Sequence, residues 1–245
     1  MIATAVPLPT ATRATILKRL GALRRRVAGR IVFTTSFGLE DQALTDAIAT
    51  SGAEVEIVTF DTGRLFGETL ELWAATEARY RLTIRSMHPD ASALAVLMVA
   101  DGAMGFRGSK EARLRCCRVR KVEPLGRALV GAGGWLTGLR GERGSGGGVE
   151  PLTWDDERAL WKAAPLADWS REEVAAYCAE HDVPVNPLHA AGYPSIGCQP
   201  CTRAVLPGED ERAGRWWWEA GESRECGLHV GADGRLVRAP KGAGA

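Results

Sequence analysis

The stretch "IVFTTSFGLED", residues 31–41, decides how the rest of the chain is read. Its first six residues are a short, largely apolar and β-branched run of the kind that fills a buried strand. Gly38 then permits a tight turn, and the acidic pair Glu40 and Asp41 suits the first turn of a helix running to Ile48. The unit is strand, glycine turn, helix, and it recurs. "VEIVTF" (55–60) is the next strand, "DTGR" (61–64) the turn, 66–80 a helix and "LTIRS" (82–86) a third strand. Alternation of this kind predicts an α/β fold, a parallel sheet with helices on both faces. Ligands of such sheets bind at the carboxyl ends of the strands, so "TSFGLED" and "FDTGR" frame one candidate pocket.

Outward from this core, Ile16, Leu17, Leu20, Leu23 and Val27 recur at helical spacing over 12–28. "RLRCCRVRKVEPLGRAL" (113–129) is helical in pattern up to Pro124, where a proline should end it. "GWLTGLR" (134–140) reads as a fourth strand, leading into the glycine-laden loop "RGERGSGGG" (140–148), which is expected to move. Ser170 and Glu173 form a capping box for a helix that stops at Pro184, and 184–201 reads as irregular. The expected division is a main α/β domain over 1–210 and a C-terminal segment over 211–245.

The 245 residues carry 31 Lys and Arg against 30 Asp and Glu, so no global field draws the chain to nucleic acid or to a membrane. An anion site must be a local cluster of arginines. The apolar run at 93–100 is too short to span a bilayer, and the first twenty residues lack the pattern of a secretory leader. The expected location is the cytoplasm, where six cysteines point to metal binding or thiol chemistry rather than to disulfides.

The cysteines sort into groups. Cys116 and Cys117 on a helix and Cys198 and Cys201 in "CQPC" supply four thiolates, the number that an iron-sulfur cube or a structural zinc requires. Adjacent cysteines on one helix diverge in direction, which is awkward for one small tetrahedral ion and acceptable to a larger cluster. The spacing favours [4Fe-4S], with zinc as the alternative. Cys178, on a helix near Val174 and Tyr177, reads as packing. Cys226 stands in "SRECGLH" (223–229) with Arg203, Arg212, Arg215 and Arg224 near it in sequence, and positive charge favours the nucleophilic thiolate.

Taken together, "SFGLED", "FDTGRLF", "CCRVRKVEPL", "TGLR", "PLADW", "PVNPLHAAGYPSIGCQPCTRAV", "GEDERAGRWWWE" and "ECGLH" resemble the assimilatory sulfonucleotide reductases, and within them the iron-sulfur adenylyl-sulfate (APS) reductases. The eight motifs occur in family order between residues 31 and 229. The resemblance implies an adenine-nucleotide α-hydrolase-like, Rossmann-like fold with a mobile C-terminal tail. The nucleotide would be held by Ser36, Gly38, Glu40 and Asp41 and by Asp61, Thr62 and Gly63. It implies a [4Fe-4S] cluster on Cys116, Cys117, Cys198 and Cys201, with Lys121 between cluster and substrate. Arg212 and Arg215 would hold the sulfate-phosphate end, on one face if their segment is helical. Arg140 resembles an arginine of the lid after "TGL". Gly141 stands where the family carries a second arginine, which leaves Arg143 as its substitute, so both Arg140 and Arg143 are candidates.

The chemistry implied is attack by the Cys226 thiolate on the sulfur of APS, release of AMP, and an S-sulfocysteine resolved by thioredoxin to give sulfite. His229 would bind substrate or orient the tail. A homo-oligomer is compatible with this reading. The phosphorylated nucleotide PAPS, alone or beside APS, is the nearest rival substrate. A zinc-stabilised nucleotide-binding module and an ATP-dependent adenylating enzyme are the rivals of other classes. The absence of a Walker lysine opposes the ATP-hydrolysing form of the fold.

Overall fold

The structure is a computed structural model, described here for residues 12–141 and 149–219. Helix α1 (Arg13–Arg24) is capped by Thr12, whose hydroxyl accepts from the Thr15 amide at 3.3 Å, and it buries Ile16, Leu20 and Leu23. Strand β1 (Arg30–Thr35) leads through the turn at 36–38 into α2 (Leu39–Ser51), which ends where Gly52 adopts a left-handed φ of 67°. Then follow β2 (Glu56–Phe60), α3 (Gly67–Tyr80), β3 (Arg85–Met87) and α4 (Ala91–Asp101). The remaining elements are α5 (Lys110–Cys117), α6 (Glu123–Leu129), β4 (Ala132–Leu136), β5 (Leu152–Asp155), β6 (Leu160–Ala163) and α7 (Arg171–Glu180). The capping box of α7 is present in both directions, Ser170 N–H to Glu173 at 2.6 Å and Glu173 N–H to the Ser170 hydroxyl at 3.1 Å.

The strands lie in the order β3-β2-β1-β4-β6-β5. All neighbours are parallel except β5 and β6, which form an antiparallel pair. The sheet is therefore mixed at one edge rather than wholly parallel, and this short edge pair was not anticipated. Strand order reverses between β1 and β4, so the crevice at their carboxyl ends is the switch point where such sheets take ligands. One face packs Ile31, Phe33, Ile57 and Leu136 against α1, α2 and α7; the other packs Val32, Val58, Trp135 and Leu160 against Leu125, Ala128 and Leu129 of α6.

The helical run through the adjacent cysteines does not stop at Pro124. A π-helical turn over Arg118–Val122 joins α5 to α6, and Pro124 is accommodated at the start of α6, directly after that wider turn. The fourth strand ends at Leu136, before the "TGLR" residues, which are thereby free to face the crevice. No helix among the described residues is long and apolar enough to cross a membrane.

Candidate active site

The loop after β1 is drawn tight by its own helix. Asp41 turns inward and accepts from the Ser36 amide at 2.6 Å and the Ser36 hydroxyl at 2.8 Å. Burial pushes its carboxyl up to about 6, against the hydrogen bonds from Ser36 and the Gly38 amide, which pull it down. Phe37, between them, takes a φ of 59°, uncommon for a residue with a side chain, and is held there by stacking on Trp73 at 5.9 Å. On the β4 side, a Cβ at Gly138 would overlap the Asp41 carboxylate, so only glycine lets the two loops close on each other. Arg140 reaches back across the crevice, donating from Nε to Glu40 at 2.6 Å and pairing with Glu211 at 3.2 Å.

The loop after β2 connects this crevice to the cysteines. The Asp61 carboxylate accepts from the Gly63 amide at 2.8 Å, and Gly63 has a φ of 66°, which favours glycine. The Thr62 hydroxyl lies 3.3 Å from Cys198 Sγ, and the Gln199 amide donates to the Arg64 carbonyl at 2.8 Å. The "DTGR" turn is thus stitched to "CQPC".

Cys116, Cys117, Cys198 and Cys201 are all buried and border one pocket. Its remaining wall is Arg64, Arg113, Arg120, Lys121 and Arg215 with the rings of Phe106 and Trp216, so five cationic side chains and no carboxylate face the thiols. The Arg120 guanidinium donates to the Thr62 carbonyl at 2.5 Å, and Arg64 Nη1 lies 3.9 Å from Cys116 Sγ. Burial raises the Cys198 thiol, but Lys121, the Thr62 hydroxyl, Arg215 and Arg120 outweigh it and hold Cys198 below the ordinary thiol range. Cys201 is pushed up to about 12, first by burial and then by Cys198 and Cys117, beyond what Lys121 and Arg215 offset.

Lys121 and Arg215 both line this pocket. Arg212 does not line it: the segment is a turn rather than a helix, with the Arg215 amide donating to the Arg212 carbonyl at 2.9 Å. Arg215 is held by an antiparallel bridge with Thr202, and its guanidinium lies where a Cβ on residue 197 would be, 4.6 Å from the centre of the Trp216 ring. Cys178 packs beneath Leu39 in the core, away from the other thiols. Arg143, Cys226 and His229, the glycine loop and the C-terminal tail lie outside the described residues.

Sequence reasoning placed Arg64 only in the nucleotide turn "DTGR", not beside the cysteines, and did not single out Arg113 and Arg120. A run as basic as "ARLRCCRVRK" reads as a solvated face, yet Arg113, Cys116, Cys117, Arg120 and Lys121 repeat at i, i+3, i+4, i+7 and i+8, one stripe of a helix. That spacing carried the signal.

Residues 30–204 match the family model described as the phosphoadenosine phosphosulfate reductase domain. An adenosine 5'-phosphosulfate reductase of Agrobacterium fabrum is 53% identical over 205 residues, covering 83% of this chain and 79% of its own. One of Allochromatium vinosum is 52% identical over 200 residues, covering 81% and 78%. Among solved structures, the phosphoadenylyl-sulfate reductase of Candida auris in its phosphate complex superposes with a TM-score of 0.65 at 25% identity, covering 82% of this chain and 93% of that one. Yeast FAD synthetase, at 15% identity and a TM-score of 0.53 over 83% of this chain and 70% of its own, shares the fold alone. Motif order, switch-point crevice and family match agree: this chain belongs to the phosphoadenosine phosphosulfate reductase family.

Proposed function

We propose that this chain reduces adenylyl sulfate to sulfite and AMP in assimilatory sulfate reduction, with a [4Fe-4S] cluster held by Cys116, Cys117, Cys198 and Cys201. The observation that carries the reading is the pocket itself, four buried cysteines facing five cations beside the switch-point crevice of β1 and β4. All four thiols border one pocket, as a cluster bound by four cysteines requires. A cluster bound by four thiolates brings net negative charge, which Arg64, Arg120, Lys121 and Arg215 offset, and it supplies a fixed charged surface against which the substrate anion is oriented.

The chain's own groups divide the remaining work. Backbone N–H groups at the start of α2 and the turn at 61–63 receive the nucleotide. Lys121, Arg215 and Arg140 supply positive charge for the sulfate and phosphate oxygens, with Arg212 and Arg143 as further candidates. The Cys226 thiolate attacks the sulfur of the substrate, a new S–S bond forms, and the bond from sulfur to the AMP phosphate oxygen breaks with its electron pair leaving on AMP. One thiolate of reduced thioredoxin then attacks the Cys226 sulfur and displaces sulfite. The second thioredoxin thiol resolves the mixed disulfide, so the two electrons come from the dithiol and Cys226 is restored. His229 assists substrate binding from the same segment. A dithiol donor and buried free cysteines fit a reducing compartment, the cytoplasm.

The test is an anaerobic assay of sulfite production from APS and from PAPS with reduced thioredoxin, on protein whose iron and acid-labile sulfide have been counted. The reading expects four irons per chain, sulfite from APS, and a sulfate label trapped on the wild type but not on Cys226→Ser when thioredoxin is withheld. Faster turnover of PAPS, or label on the Ser variant, overturns it.

A further inference from the structure

Glu219 is the last described residue, and its carboxylate is clamped by a buried guanidinium. Arg113 on α5 donates from Nε to Glu219 Oε1 at 2.6 Å and from Nη2 to Oε2 at 3.0 Å, a two-point fork that fixes orientation as well as distance. The Arg113 side chain is only 1% exposed and that of Glu219 10%. The same guanidinium stacks over the Trp216 ring at 4.5 Å, and Arg113 lines the pocket wall together with Cys117. One side chain thus touches the four-cysteine pocket, the ring that covers it, and the carboxylate of Glu219. The preceding residues are pinned too, with the Trp216 amide donating to the Cys201 carbonyl at 3.1 Å and the Glu219 amide to the Trp216 carbonyl at 2.9 Å.

We infer that Arg113 and Glu219 are positioning residues that anchor the root of the Cys226 segment to the wall of the four-cysteine pocket. Residue 226 follows 219 by seven residues in the sequence. A root fixed at the pocket confines the nucleophile to a small volume around it and raises its effective concentration there; a root released from the wall spreads the same thiol over a larger one. A buried ion pair is a costly way to hold two elements together where apolar packing would serve. Its use here, at the junction with the reactive segment, is explained by the fixed geometry that a two-point fork imposes. This inference rests on the proposed role of Cys226, but the anchor itself can be measured without it.

The experiment compares the wild-type holoprotein with Glu219→Gln and Glu219→Asp by hydrogen exchange read by mass spectrometry and by steady-state kinetics with APS and thioredoxin. Glu219→Gln should speed amide exchange at least tenfold in the peptide from Trp216 to Cys226, with peptides of α5 and β1 changed less than twofold and iron per chain unchanged. Its kcat should fall about fivefold with KM within twofold, and Glu219→Asp, which keeps the charge, should lie between. Exchange in the C-terminal peptide unchanged within twofold overturns the anchor, as does exchange raised equally throughout the fold, which would make the pair merely structural. Anchored exchange with unchanged kcat in an active enzyme overturns the positioning role. If wild type produces no sulfite from APS, the proposed function has failed, and the exchange result still decides the anchor.

Discussion

Arg140 Nε sits 2.6 Å from the Glu40 carboxylate, while its Nη2 reaches Glu211 at 3.2 Å. Arg140, in the loop after β4, is therefore already paired with two carboxylates, one in α2 and one on the C-terminal turn. Glu211 is half exposed and also approaches Arg171 at 3.9 Å. A substrate anion that engages Arg140 must compete with Glu211, so Glu211→Gln should lower KM for APS about threefold to tenfold and leave kcat within twofold, the pattern of an interaction that differs between free and bound enzyme. Initial-rate kinetics across APS concentration checks this.

The loop after β1 should show a pH signature. Asp41 titrates near 6 in the fold, chiefly because it is buried, against an ordinary value of 3.8. Below about pH 4 the carboxyl is protonated whether the chain is folded or not. Between pH 4 and 6 the folded state keeps a proton that the unfolded state has released, so this group's contribution to stability falls as pH rises. Above 6 the loss is complete, on the order of 3 kcal/mol for a shift of this size. Asp41→Asn, which still accepts from Ser36, should match wild type near pH 4 and gain on it by pH 7, measured by urea denaturation at both values.

How much of this was legible follows locality. From 31 to 80 each strand, turn and helix is specified by its own few residues, and the expected elements agree with β1, α2, β2 and α3 to within a residue or two, apart from a longer α2. The β5–β6 pair escaped because its strands have four residues each and carry charge in the interior. Lys162 is buried over the Trp135 ring at 4.8 Å, and burial pulls its ammonium down to about 8 despite Asp155. Asp155 is buried and paired with Arg158 at 3.0 Å. Such charges become tolerable only through partners that tertiary structure brings, so no local pattern announces them. The same holds at the site: four cysteines are visible as residue types, whereas Arg113 and Arg120 become pocket wall only once the fold has brought "CQPC" against their helix stripe.

Gly197 is held to glycine by one side chain. A Cβ there would overlap the Arg215 guanidinium, which is buried and already wedged against Trp216. Gly197→Ala should displace Arg215 from the pocket, cost about 1–3 kcal/mol as overpacking does, and lower the iron bound per chain. Thermal denaturation and iron analysis of the purified variant measure the two effects separately.

Cys178 should be the inert thiol of the described residues. It is 4% exposed, and burial pushes it up to about 12, helped by Glu40 and Asp46. Iodoacetamide at pH 8 should leave it unmodified in the native protein and modify it in urea, read by peptide mass. Cys178→Ala should keep full iron and full activity at a cost of about 1 kcal/mol, whereas Cys201→Ala should lose the iron.

Removing the metal should leave the pocket in charge imbalance. The cations Arg64, Arg120, Lys121 and Arg215 face four thiols, and the thiols do not all ionise readily to answer them, because burial, and after it Cys198 and Cys117, push Cys201 up to about 12. Buried charge left without its counter-charge costs about 3–5 kcal/mol, which in a domain of this size is on the order of 10 °C in Tm. Protein stripped of iron under reducing conditions should therefore melt about 10 °C lower than the iron-replete form. Lys121→Met should narrow that gap, because it removes one cation from the wall of the stripped pocket, while weakening the iron-replete form that the lysine helps to balance. Differential scanning calorimetry of the four samples, wild type and variant with and without iron, reads the gap directly, and a gap of equal size in both proteins would place the cost of metal loss elsewhere than in the cationic wall.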